Sequence, residues 1–78
     1  MNDLIENISR LYTTELGVIR IKKNLKIDVS DVIDYLKNKI LDNSYIYKKG
    51  KNWYCEKDNI IITVNSYNYC IITAHIKK

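Results

Sequence analysis

The sequence predicts an α+β domain: two or three N-terminal helices packed on one face of a four-stranded antiparallel β-meander. Three observations carry that expectation. Apolar residues recur at intervals of three and four through the first part of the chain, and at intervals of two from Tyr45 onward. Turn-forming residues punctuate the second part so closely that successive strands must be antiparallel neighbours. The chain has 78 residues, which leaves room for a single core. The expected organisation is one domain over 1–78, with a helical half at 1–44 and a sheet at 45–78.

Asn2 is a candidate cap for a first helix carrying Leu4, Ile5, Ile8, Leu11 and Tyr12 at helical spacing. Thr13 and Thr14 are adjacent N-cap candidates and favour a break there. Gly17 either closes the first helix as a left-handed cap or lies just inside the second. Val18, Ile21 and Leu25 predict that second helix, with Arg20, Lys22, Lys23 and Lys26 on its wetter sides. The β-branched content of residues 18–22 leaves a strand open as the alternative. Asp28 or Ser30 caps the next helix, with Asp31 in its first turn near the positive end of the dipole. Its stripe is Val29, Val32, Ile33, Leu36 and Ile40; Lys37 and Lys39 come late, and Asp42-Asn43-Ser44 is the exit.

Four strands follow: Tyr45–Lys48, Trp53–Glu56, Ile60–Val64 and Tyr69–Ile76. The turns between them are Lys49–Asn52, Lys57–Asn59 and Asn65–Asn68. Alternation assigns Cys70, Ile72, Ala74 and Ile76 to the face under the helices, with Ile60, Ile62, Val64, Trp53 and Cys55. Tyr69, Ile71, Thr73 and His75 then join Tyr54, Glu56 and Thr63 on the opposite, polar face.

The apolar fraction of 46% and charged fraction of 28% suit a globular domain rather than a disordered tail. The longest apolar run, Ile60–Val64, is far below the ~20 residues of a membrane span, so no membrane partner is expected. Asn2, Asp3 and Glu6 close behind Met1 predict no signal peptide. Cys55 and Cys70 read as reduced core thiols of a cytoplasmic protein. One His and two Cys give no metal-ligand spacing. Lys49-Gly50-Lys51 matches no nucleotide-cradling motif, and no cofactor is expected.

Net charge is +4, and the excess is clustered. Arg20, Lys22, Lys23 and Lys26 stand against Asp28 alone, and Lys48, Lys49 and Lys51 share a hairpin with Tyr45, Tyr47, Trp53 and Tyr54. Basic clusters attract phosphate backbones, and exposed aromatic faces stack unpaired bases. Trp53 reads as core, whereas Tyr45 and Tyr47 suit binding and packing equally. The leading expectation is a domain that engages RNA or single-stranded nucleic acid through Arg20, Lys22, Lys23, Lys26, Tyr45, Tyr47, Lys48, Lys49, Lys51 and Tyr54. On the polar sheet face, Glu56 as base and His75 as acid, with Arg20 or a lysine as the cation, would suffice for metal-independent RNA cleavage. The same residues also suit an ordinary solvated sheet face.

Three phrases carry a resemblance. They are Thr13-Thr14-Glu15-Leu16-Gly17 leading to Arg20-Ile21 and Asn24-Leu25; Gly50-Lys51-Asn52-Trp53-Tyr54; and Ile62-Thr63-Val64-Asn65 followed by Ile71-Ile72-Thr73-Ala74-His75. Together they resemble an uncharacterised family of short bacterial proteins over nearly the whole chain, a likeness that implies no activity. Arg20-Ile21, Ile27 to Asp31-Val32, Gly50 to Tyr54 and Ile72-Thr73-Ala74 are similar, more loosely, to the barnase–colicin–RelE-like ribonuclease toxins. That likeness implies a four-stranded antiparallel sheet with catalytic groups on its open face. The chain departs from those toxins at its start, where Thr13 and Thr14 stand in place of a His. The competing class is a non-enzymatic phage or mobile-element inhibitor, of the anti-CRISPR type, that binds a nucleic-acid-handling protein complex. A third is a homodimer that pairs the free edge of the meander.

Overall fold

The first apolar stretch breaks twice before the second helix begins. The computed structural model describes residues 3–42 and 44–77, so a cap at Asn2 lies outside the described residues. Helix α1 is Asp3–Glu6, followed by a 3-10 turn at Ile8–Arg10. Leu11 is then extended (φ −60°, ψ 135°). The expected continuous helix through Tyr12 does not form. The Tyr12 N–H donates to the Tyr69 carbonyl at 3.3 Å, and the Tyr12 carbonyl accepts from Ile71 N–H at 2.7 Å. A parallel bridge to Cys70 thus takes the backbone groups that a further helical turn would have used.

Helix α2 is Glu15–Leu25, which settles residues 18–22 as helix. Thr14 is its N-cap, its hydroxyl accepting from Gly17 N–H at 3.0 Å. Gly17 lies inside α2, and with Ile21 and Leu25 forms the buried stripe. Lys26 ends the helix in the left-handed conformation (φ 56°, ψ 46°), and Ile27 N–H reaches back to the Lys22 carbonyl at 3.1 Å. This is the bonding of a Schellman stop, with a lysine where glycine is favoured.

Helix α3 is Val32–Leu41. Its cap is Asp31 rather than Asp28 or Ser30. Asp31 holds extended backbone, and its carboxylate accepts from Asp34 N–H at 3.0 Å; the two earlier candidates fall in the preceding connection, out of reach of the first turn. Val32, Leu36 and Ile40 are buried, and Val29 and Ile33 flank them.

Strands β1 (Tyr45–Lys49), β2 (Asn52–Lys57), β3 (Ile60–Asn65) and β4 (Ile71–Ile76) form one antiparallel sheet in sequence order. The first two connections are two-residue loops. Gly50 takes φ 64° at the first position of one. Asp58 (φ 53°) and Asn59 (φ 66°) form the other, with the double positive φ of a type I′ turn. Helix α2 packs against β4 and α3 against β2, so the helices cover one face. Leu4, Ile21, Leu36, Ile40, Cys55, Ile62, Val64 and Ile71 are the largest fully buried side chains between the layers.

The face assignment of β4 is corrected at its start. Thr63 pairs with Thr73, whereas Val64 pairs with Ile71. Ile72 is therefore an inserted residue, and such a bulge reverses the alternation across it. Ile71 is buried and Ile72 is 46% exposed, the opposite of strict alternation. From Thr73 onward the expected faces hold at Thr73, Ala74 and His75; Ile76, facing as expected, is nonetheless exposed. Tyr69, expected as the first strand residue on the polar face, is buried in the loop with φ 62°. The Asn65 side-chain oxygen accepts from Tyr67 and Asn68 N–H, and that of Asn68 accepts from Cys70 N–H at 2.9 Å. These bonds, with the Arg10 guanidinium 4.6 Å from the Tyr69 ring centre, hold the unusual backbone in place.

Candidate nucleic-acid interface

Pairing across the sheet places the side chains of its open face in rows. Tyr45, Glu56, Ile61 and His75 form one row, and Tyr47, Tyr54, Thr63 and Thr73 the next. Lys49, Asn52 and Asn65 continue the pattern toward the first loop. Tyr45 and Tyr47 lie two apart on one strand, so both rings rise on the same side. Their centres are 5.3 Å apart, and the Tyr47 ring stacks on Tyr54 at 5.4 Å with 18° between planes. Tyr45 is 67% exposed.

The residues expected to bind separate into two groups. Tyr45, Tyr47, Lys49 and Tyr54 share the open face, and Lys51 sits in the adjoining loop. Lys48 is on the other side, its ammonium 5.8 Å from the ring centre of Trp53, which is partly buried against the core. Arg20, Lys22, Lys23 and Lys26 belong to α2 and its cap, beside β4 at the far side of the sheet from β1. Three strand spacings, ~14 Å, lie between the two groups, so they flank the sheet rather than form one patch. Among the described residues, Arg20, Lys22, Lys23, Lys26, Lys49 and Lys51 make no ion pair. Lys39 and Lys57 are committed to Asp58 and Asp42, at 2.7 and 3.6 Å.

Glu56 and His75 do share the open face, on either side of Ile61 and two strand spacings (~10 Å) apart. The Glu56 carboxylate is held by Lys77, which donates at 2.9 Å. That bond, helped by the Tyr47 hydroxyl, keeps the Glu56 carboxyl below its ordinary value and makes it a weaker base. Among the described residues no hydrogen bond or ion pair joins Arg20 to this pair, and the basic residue that shares a cavity with His75 is Lys26. With Asn24 and Ile76 these two line an open cavity of about 460 Å³ at the end of α2.

Two residues in this arrangement are absent from the sequence-based site. Lys77 pairs with Glu56, and Asn24 donates its amide to the Ala74 carbonyl at 3.3 Å. Asn24 had one signal: it precedes Leu25 on the side of α2 that its buried stripe turns toward the sheet. Lys77 had none, because its partner is fixed by β-pairing. Among the described residues no His, Cys, Asp and Glu cluster could hold a metal ion, and no helix is long and apolar enough to cross a membrane.

A family model described as "Protein of unknown function (DUF3781)" matches residues 5–75. No curated protein and no solved structure matches the chain.

Proposed function

We infer the function of this chain, which belongs to the DUF3781 family of proteins of unknown function, from its open sheet face: it binds single-stranded nucleic acid, RNA or DNA. The observation that carries this reading is the tyrosine ladder Tyr45–Tyr47–Tyr54 on an uncovered sheet, with Lys49 and Lys51 at one end and the cations of α2 at the other. The exposed ring faces of such a ladder accept unpaired bases, at ~1–3 kcal/mol per stacked base, and uncommitted cations track the backbone on either side. The reading is of a binding module. The best-placed carboxylate, Glu56, is occupied by Lys77, which favours holding a strand over cutting it.

The test is fluorescence anisotropy with labelled oligouridine and oligothymidine at dilute protein. Affinity should fall steeply between ~50 and ~200 mM salt. Tyr45→Ala and Tyr54→Ala should each weaken binding about tenfold, while Lys49→Glu with Lys51→Glu should flatten the salt dependence by about two phosphate contacts. Binding that ignores salt, no binding at the lower salt, or tyrosine variants that bind as the parent does would refute the reading.

A further inference from the structure

The two edges of the sheet are treated differently. The outer edge of β4 is closed by the chain itself. Thr13 Oγ1 donates to the Ile71 carbonyl at 2.9 Å, Ile71 N–H donates to the Tyr12 carbonyl, and Asn24 donates to the Ala74 carbonyl. No described element pairs with the outer edge of β1.

The register says which groups that edge offers. A two-residue loop makes Lys49 and Asn52 a hydrogen-bonded pair, and alternation does the same for Tyr47 with Tyr54 and Tyr45 with Glu56. The N–H and C=O groups of Ile46 and Lys48 therefore point away from β2. Exposed edge strands of this kind pair with another strand unless something prevents it.

We propose that β1 pairs antiparallel with β1 of a second copy of this chain, about a two-fold axis at Tyr47, to give a continuous eight-stranded sheet. This register overlaps β1 completely. It sets Ile46 opposite Lys48 of the second copy, and Lys48 opposite its Ile46, so the four outward backbone groups of each chain are all used. It sets Tyr47 on Tyr47, in a pair without direct hydrogen bonds, where side chains approach most closely. It sets Tyr45 opposite Lys49, cation against ring. Edge lysines normally guard against pairing because they meet one another, and a register centred on Lys48 would do that here. The Tyr47 register brings no lysine directly opposite a lysine. The open faces of both copies stay on one side, so their tyrosine ladders become one. The proposal does not depend on nucleic-acid binding.

Sedimentation equilibrium of the protein alone tests it, from micromolar to about 1 mM protein, at low salt and at about 0.5 M salt, where charge repulsion is screened. The mass should double with concentration, and the dimer should tighten with salt, the reverse of the effect expected for a phosphate ligand. Tyr45→Lys, at an exposed position, should weaken the dimer about tenfold by setting lysine against Lys49. Adding Lys49→Glu in the same chain should restore it, because the new pair attracts. Lys48→Pro removes an outward N–H that β2 does not use and should abolish pairing while circular dichroism stays unchanged. A monomer at every concentration and salt overturns the proposal. So does a dimer indifferent to Tyr45→Lys or Lys48→Pro, or one that Lys49→Glu does not restore.

Discussion

Replacing Gly17 with alanine should destabilise the protein, although alanine is the better helix former. Inside α2, the change by itself gains about 1 kcal/mol of helix propensity. A Cβ at this position, however, would collide with the Thr13 hydroxyl, which donates to the Ile71 carbonyl at 2.9 Å and closes the edge of β4. Displacing the hydroxyl leaves the part-buried carbonyl with only the longer Cys70 Sγ contact at 3.7 Å, at a cost of ~1–3 kcal/mol. The net loss should be up to about 2 kcal/mol, a fall in Tm of up to roughly 15 °C for a domain of this size. Urea and thermal unfolding measure it. Thr13→Ala removes the obstruction, so in that background Gly17→Ala should be stabilising by about 1 kcal/mol, giving a coupling of about 1–3 kcal/mol in a double-mutant cycle. A Gly17→Ala protein more stable than the parent would refute the close approach of Gly17 in α2 to the Thr13 hydroxyl.

Three further outcomes are expected. Lys26→Gly should stabilise by about 1 kcal/mol, because the left-handed cap strains a side chain that bears a Cβ; unfolding curves will show it, and a loss of stability would mean that the Lys26 side chain contributes more than its backbone costs. Burial pushes the Cys55 thiol from 9.0 to about 12, so a thiol reagent at mildly alkaline pH should label Cys70 and spare Cys55 in the native protein. The unfolded thiol ionises first, so stability should fall as pH rises from about 9 toward 12, by up to ~1.4 kcal/mol per pH unit more than in Cys55→Ala. Glu56 is held below its ordinary carboxyl value, chiefly by Lys77 and next by Tyr47. The contact should persist above the usual carboxylate range and be lost as pH falls through the lowered value; Lys77→Met should move the Glu56 titration, followed by NMR, back upward.

Elements specified by neighbours in sequence were legible in it. The stripe Val32–Leu36–Ile40 and the loops at Gly50 and Asp58–Asn59 are local, and so are α3 and the meander they define. What escaped depends on distant partners. The phase at Ile71–Ile72 is ambiguous, because both residues are apolar; the pairing with β3 alone inserts the bulge. Tyr12 fits a helical stripe until Tyr69 and Ile71 claim its backbone. The open face was read correctly in Tyr54, Glu56, Thr73 and His75, none of which lies across the bulge from the rest of the sheet; Thr63 shares that face but is buried. The division of the cations was not legible, since charge along a chain does not say which edge of a sheet each segment will flank.

The clasp at Tyr12 also bears on the order in which the molecule assembles. Thr13 and Ile71 are 58 positions apart, and the segment leading into α2 closes onto the last strand. The meander can zip from its own short loops, but the N-terminal segment has no finished surface to dock on until β4 is in place. Closing so long a loop carries an entropic penalty before any contact offsets it, and contacts this remote in sequence slow folding. Tyr12 and Thr13, made well before β4, would then be among the last residues to reach their final positions.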